Sequence, residues 1–155
     1  MPRIEVSTDI SAPPETVWSI VADPASFLKL APDAVSVEAD PPGLAVVGQK
    51  QRAVIKILGR KVEGFTEVVE VEPNRKIVQR QRPGGLFKSF TATTLLEPTK
   101  KGTHVAGTLE YEPSMSYLGR ILTPILVNRT IRKNLNAFVR NLKELAELKE
   151  MPKTG

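Results

Sequence analysis

The sequence predicts an α+β fold in which a curved, seven-stranded antiparallel sheet wraps one long C-terminal helix. Between Val35 and Glu112 six segments alternate apolar and polar residues, with turn residues between them and no helical pattern intervening. A seventh segment of the same kind, "RIEVSTDI", opens the chain. After Met115 the pattern changes: Ile131, Leu135, Phe138, Leu142 and Leu145 recur at spacings of four, three, four and three, the stripe of an amphipathic helix.

Each element follows from its own residues. Strand 1 spans residues 3 to 10, and "SAPPETVWSIVADP" then forms a short helix with Pro13 or Pro14 in its first turn and Glu15 near the positive end of the dipole. Val17, Trp18 and Val21 share its buried face, Asp23-Pro24 stops it, and "PASFLKLAP" continues as a second short helix. The six strands are "VSVEAD", "GQKQRAVIKI", "RKVEGFTEVVEVE", "KIVQRQR", "LFKSFTATTLLE" and "THVAGTLEYE", broken at "PPG", "LG", "PN", "PGG" and "TKKG". With no helix between them, hairpin connections and an antiparallel sheet are the economical topology.

Alternation assigns the faces. Lys50, Arg52 and Lys56 share a parity, which turns Gln51, Ala53, Ile55 and Ile57 inward. Val105, Leu109 and Tyr111 face inward in the last strand, with His104 and Glu110 in water. In "EGFTEVVEVE" the expected inward set is Phe65, Val69 and Val71, and Glu67 goes with them. A helix from Ile125 to Lys149 would be about 37 Å long, and seven strands at about 4.8 Å make a sheet about 34 Å wide. One helix can therefore cross the sheet. Such a curved sheet does not close tightly on a single helix, and the gap suits a small apolar molecule.

Composition narrows the function. A chain of 155 residues, 41% hydrophobic and 25% charged, suits a single domain over residues 1–155 with one core, its tail 151–155 expected to be disordered. Cysteine is absent, which excludes disulfides, thiolate ligands and cysteine nucleophiles. "ILTPILV" is far short of the about 20 apolar residues of a membrane span and is followed at once by Arg129, Arg132 and Lys133. "MPRIEVSTDI" lacks the charged start and apolar run of a signal peptide, so a cytoplasmic location is expected, with peripheral membrane contact as an extension.

The order of strand, "APPETVW" helix pair, six strands and long helix, together with "LLEPTKKGTHV" before the last strand and "YEP" at its end, resembles the START-like (SRPBCC) superfamily. More narrowly it is similar to the polyketide cyclase, dehydrase and lipid-transport group, which includes coenzyme Q-binding proteins. The likeness runs from about residue 3 to 148. It implies the helix-grip fold, a sheet gripping a long helix around a hydrophobic cavity.

Polar residues on apolar faces are the candidates for chemistry, because a buried polar group must find a partner in protein, water or ligand. Asn128 lies within the helical stripe and Arg132 at its border. Glu67 can serve as a general base or meet Arg132, the alternative being a one-residue shift of register that turns it to solvent, and Tyr111 can offer a phenol to a ligand carbonyl, although an inward tyrosine is more often core with a satisfied hydroxyl. Trp18, Ile55, Phe65, Phe90, Leu109, Leu135 and Phe138 read as core or cavity lining. The single histidine is on the outer face, no phosphate-binding glycine motif occurs, and neither a cofactor nor a metal is expected. Arg129, Lys133 and Arg140 form a basic outer helix face suited to anionic membrane, while the lack of interleaved aromatics argues against nucleic acid. Gly119 and Pro124 bracket apolar residues within the segment Met115 to Val127, which is expected to act as a flap at the pocket entrance.

The expected function is binding of a small hydrophobic ligand such as a lipid, isoprenoid or quinone, as a carrier or chaperone. The alternatives are a polyketide cyclase or dehydratase working by general acid/base catalysis in the same cavity, or an accessory domain that contacts another protein.

Overall fold

The computed structural model describes residues 3–57, 59–82, 87–113 and 124–151. Strand β1 (Arg3–Ile10) is followed by helix α1 (Pro14–Val21), a 3-10 turn (Pro24–Ser26) and helix α2 (Phe27–Leu30). Strands β2 (Ala34–Asp40), β3 (Lys50–Ile57), β4 (Arg60–Glu72), β5 (Lys76–Gln81), β6 (Phe87–Pro98) and β7 (Thr103–Pro113) come next, and helix α3 (Pro124–Glu150) closes the chain. The seven strands form one antiparallel sheet in the order β1-β7-β6-β5-β4-β3-β2. From β2 to β7 every strand pairs with its neighbour in sequence, as hairpin connections dictate; β1 alone makes a distant pairing, with β7.

Local signals place the ends of the short helices. Pro14 begins α1 with its φ already suited to a helix, and the Asp23 carboxylate accepts from Ala25 N at 3.1 Å to cap the 3-10 turn. Asn74, in the left-handed region at φ 63°, turns the chain from β4 into β5, a conformation asparagine tolerates better than most residues.

The register agrees with the expected faces of β3 and β7 and corrects those of β4. Gln51, Ala53 and Ile55 stand opposite Thr66, Gly64 and Val62, so these three residues of β4 face inward. Phe65 and Glu67 are opposite Arg52 and Lys50, on the outer side, and Glu67 is flanked on β5 by Arg80. The cause is a bulge between Val68 and Glu70. It reverses the alternation within the strand, so that Val68 is fully buried before it and Val71 packs on the core after it. Counting by twos from Val71 towards the start of the strand gives Val69, Glu67 and Phe65, the wrong set on the far side of the bulge.

Helix α3 packs chiefly on β1, β7, α1 and α2, not evenly across the sheet. Its stripe divides between two clusters. Leu142 and Ala146 join Trp18, Ile20, Leu30, Val68, Ile77 and Leu96; Val127 and Val139 join Ile4, Val6, Leu109 and Tyr111. Phe138 touches both. Polar contacts hold the C-terminal half in place: Lys143 Nζ donates to Asp9 O at 2.9 Å and meets Glu147 at 2.6 Å, and Ser11 N donates to Glu147 at 2.9 Å. The Lys143 bond, then the Ser11 amide, keep the Glu147 carboxyl below its usual range. Asn141 Nδ2 donates to Leu30 O at 2.9 Å and so ties α2, whose last carbonyls lack helical partners, to α3.

Leu142 is fully buried at the junction of α3 with α1 and the sheet. Leu142→Ala is expected to lower the unfolding free energy by about 2–5 kcal/mol, read from the urea midpoint, whereas exposed Lys133→Ala should change it by no more than about 0.5 kcal/mol.

Candidate functional site

Because α3 sits toward the β1–β7 end of the sheet, the inner faces of β3, β4 and β5 enclose open space. A cavity of about 300 Å³ results. Gln51, Ala53 and Ile55 line it from β3, Val62, Gly64 and Thr66 from β4, and Ile77, Gln79 and Gln81 from β5. Phe90, Ala92, Thr94, Gly107 and Leu109 line it from β6 and β7, and Leu135, Phe138 and Val139 from α3. The segment after α1 contributes Asp23, Pro24, Phe27 and Leu30.

A row of neutral polar side chains crosses this apolar space. In the ladder Gln51 is opposite Thr66 and Thr66 is opposite Gln81, with Gln79 beside them on the same face. Thr66 Oγ1 bonds Gln79 Oε1 at 3.3 Å, and Gln51 Nε2 donates to Gln49 Oε1 at 2.9 Å. Gln81 is occupied twice: its Nε2 donates to Phe87 O, and its Oε1 accepts from Phe87 N at 3.2 Å. That pairing fixes the start of β6, where the Phe87 ring lies 5.7 Å from Phe90 and 5.3 Å from Tyr111.

The expected site residues separate into three groups. Ile55, Phe90, Leu109, Leu135 and Phe138 line the cavity, and so does Phe65, although its cross-strand neighbour is Arg52 of the outer face. Trp18 and Tyr111 are buried in the two clusters beside it, and Asn128 is partly buried on α3; none of these three is a lining residue. Glu67 is on the outer face, and Arg132 is exposed, one step of about 100° round the helix from Ile131. The register and the helical phase thus keep Glu67 and Arg132 from meeting inside the cavity. The residues that sequence reasoning passed over are Thr66, Gln79 and Gln81. Their signal was present in "KIVQRQ", where Gln79 and Gln81 share a parity with the buried Ile77.

Charge is confined to the margins. Among the described lining residues the ionisable ones are Asp23, which caps the 3-10 turn, and Glu63. Glu63 pairs with Arg52 at 2.7 Å, and that hydrogen bond, with the attraction that accompanies it, holds its carboxyl below the usual range. His104 Nδ1 lies 2.7 Å from Asp9 on the outer face. No three His, Asp or Glu residues among those described are grouped to hold a metal ion. Residues 115–123 of the expected flap, the "PGG" turn and the last four residues of the tail lie outside the described residues; residues 124–127 are the first turn of α3.

A sheet folded round a long C-terminal helix, with two short helices after the first strand and a cavity between sheet and helix, defines a START-like protein of helix-grip fold. The chain belongs to the polyketide cyclase / dehydrase and lipid transport family, whose model matches residues 1–147. Among solved structures it is similar to TTHA0849 from Thermus thermophilus, with a TM-score of 0.81 and 24% identity, covering 97% of this chain and 100% of that one. It is also similar to the Zhui aromatase/cyclase from Streptomyces sp. R1128, with a TM-score of 0.83 and 18% identity over 99% of this chain and 98% of that one. The di-domain ARO/CYC StfQ of the steffimycin biosynthetic pathway matches with a TM-score of 0.75 and 17% identity over 95% of this chain and 51% of that one. No functionally curated protein matches the chain in sequence.

Burial pushes the Tyr111 phenol above its ordinary pKa, so the folded state favours the neutral form. The stabilisation is complete below the unfolded value and is lost as pH rises through the folded one. Above about pH 10 the stability of the wild type should fall more steeply than that of Tyr111→Phe, as measured by urea titration at successive pH values.

Proposed function

We propose that the protein binds a small hydrophobic molecule, a lipid, isoprenoid or quinone-like compound, between its sheet and α3, and acts as a carrier or chaperone for it. The observation that supports this is the cavity itself: about 300 Å³, at the lower end of the range for small-molecule sites, walled by aliphatic and aromatic side chains with a few neutral amides. Two of the similar structures carry the names aromatase/cyclase and ARO/CYC, so a cyclase is the competing reading. General acid/base chemistry requires positioned groups with tuned pKa values. Of the two acids bordering this cavity, Asp23 instead caps the 3-10 turn and Glu63 is turned to Arg52 on the outer face of the sheet, and this favours binding.

Native mass spectrometry of the purified protein, followed by solvent extraction, tests the carrier reading. A stoichiometric apolar ligand is expected, and Ala53→Phe, which fills the cavity from β3, should reduce its occupancy severalfold while leaving the far-ultraviolet circular dichroism unchanged. Apo protein throughout, with no stabilisation by a panel of lipids and quinones, would shift the assignment to a transient substrate or a protein partner.

A delivery surface accompanies this proposal. Arg129, Arg132, Lys133 and Arg140 surround a groove between α3 and the Pro32-Asp33 turn, and none of the four makes an ion pair with another described residue. Leu28 and Val35, on the elements joined by that turn, are 46% and 41% exposed, which adds apolar surface near the cations. Each cation near an anionic surface contributes about 1 kcal/mol. Co-sedimentation is expected with phosphatidylserine vesicles and not with phosphatidylcholine, weakening as salt rises. The triple variant Arg129→Gln, Lys133→Gln, Arg140→Gln should abolish it, and equal binding to both vesicles would refute the membrane role.

A further inference from the structure

The cations of α3 are ordered as well as gathered. Arg129, Arg132, Lys133, Asn136 and Arg140 follow one another at spacings of three, one, three and four, so they share one exposed face of the helix over about 16 Å. The Pro32-Asp33 turn forms the opposite wall of the groove, and Asp33 O ties it to the sheet by accepting from Lys56 N at 2.8 Å. Ala137 lies buried between the walls, where its single methyl group leaves the groove open. Asn134 and Asn136 add amide N–H donors. Asp33 is the one acid among the described groove residues, so four positive charges stand there against one negative. The cations have no ion-pair partner among the described residues, which leaves their N–H groups to an outside anion.

Resting on the membrane-delivery reading, we propose that this groove is a recognition site for a phosphomonoester head group, that of phosphatidate in a bilayer, and not a diffuse basic patch. Three of its four cations are arginines. A planar guanidinium gives a phosphate two parallel N–H bonds, whereas an ammonium acts as a point charge. A terminal phosphate offers three acceptor oxygens and a charge of about −1.5 to −2 at neutral pH, enough to engage more than one arginine. The phosphodiester of phosphatidylserine has fewer free oxygens and a smaller charge, and it brings an ammonium that the cations repel. Leu28 and Val35, exposed on the elements joined by the Pro32-Asp33 turn, favour a lipid over a soluble phosphate, since apolar side chains beside the groove can enter the acyl boundary while the head group is held.

Sedimentation with vesicles of matched surface charge tests this at neutral pH: phosphatidylcholine carrying phosphatidate, or carrying about twice as much phosphatidylserine. Phosphatidate vesicles are expected to bind about 10-fold tighter, the least that one added hydrogen bond to a charged group contributes. The variant Arg129→Lys, Arg132→Lys, Arg140→Lys keeps every positive charge and removes the guanidinium forks, so the two kinds of vesicle should become equivalent to it. Its circular dichroism reports the fold, and the wild-type comparison stands by itself if that variant does not fold. Isothermal titration with glycerol 3-phosphate separates the two sources of the phosphate: binding no tighter than millimolar is expected for the isolated head group, and micromolar binding would overturn the lipid assignment in favour of a soluble phosphate ester. Equal binding of the wild type to both vesicles, or a preference that survives in the folded lysine variant, would overturn head-group recognition while leaving membrane contact intact. Binding to neither would overturn both.

Discussion

The placement of α3 on the sheet is the constraint from which the rest of the structure follows. A single helix is about 10 to 12 Å across, and packing side chains on both of its flanks cannot fill the concavity of seven strands. The helix instead commits its apolar stripe to β1, β7 and the two short helices, where Leu142, Ala146, Val127 and Val139 are buried. Contacts of Lys143, Glu147 and Asn141 with the β1–α1 connection and with α2 hold it there. The inner face of β3 and the parts of β4 and β5 beside it, around Thr66, Gln79 and Gln81, are left without a covering element. The cavity is the space that this arrangement leaves over.

That origin explains the chemistry of its walls. Surfaces buried against α3 are aliphatic and aromatic, as close packing demands. The uncovered surfaces tolerate polar side chains, because a cavity that admits water or a ligand can satisfy them. Gln51, Thr66, Gln79 and Gln81 occupy this part of the sheet, and each spends one or both of its hydrogen-bonding ends on another protein group. Gln49 anchors the row from below, its amide fully buried and satisfied on both sides. A rigid network of this kind holds a polar point in a fixed direction within an apolar pocket.

Charge is distributed by the same division. Acidic and basic side chains of the strands pair across the outer face, Arg52 with Glu63 and Glu38, Lys76 with Glu70 and Lys88 with Glu112, where water screens them and each contributes little to stability. The basic side chains on the outer face of α3 are the exception, gathered around one groove without acidic partners among the described residues. Membership of the polyketide cyclase / dehydrase and lipid transport family accords with a fold of this design, and the chemistry of the individual site distinguishes its members.

The sequence by itself determined the elements, their order and the hairpin pairing of successive strands from β2 to β7, because hydrophobic period and turn chemistry are local properties of neighbouring residues, whereas the pairing of β1 with β7 is a long-range contact. It also determined which helix face is buried, since Leu142 and Phe138 lie in a stripe that geometry alone prescribes. Tertiary structure decided the rest. The bulge at Val68 to Glu70 carries no composition signal, yet it placed Glu67 and Phe65 opposite Lys50 and Arg52 of the outer face and set Thr66 facing the interior. The lateral position of α3 decided that Trp18 and Tyr111 are core while Gln79 and Gln81 line the cavity, a distinction between packed and open surface that alternation cannot express. The direction of the Gln51 amide depended on Pro41 and Gly43, whose carbonyls are brought to Gln49 only by the folded path of the loop between β2 and β3.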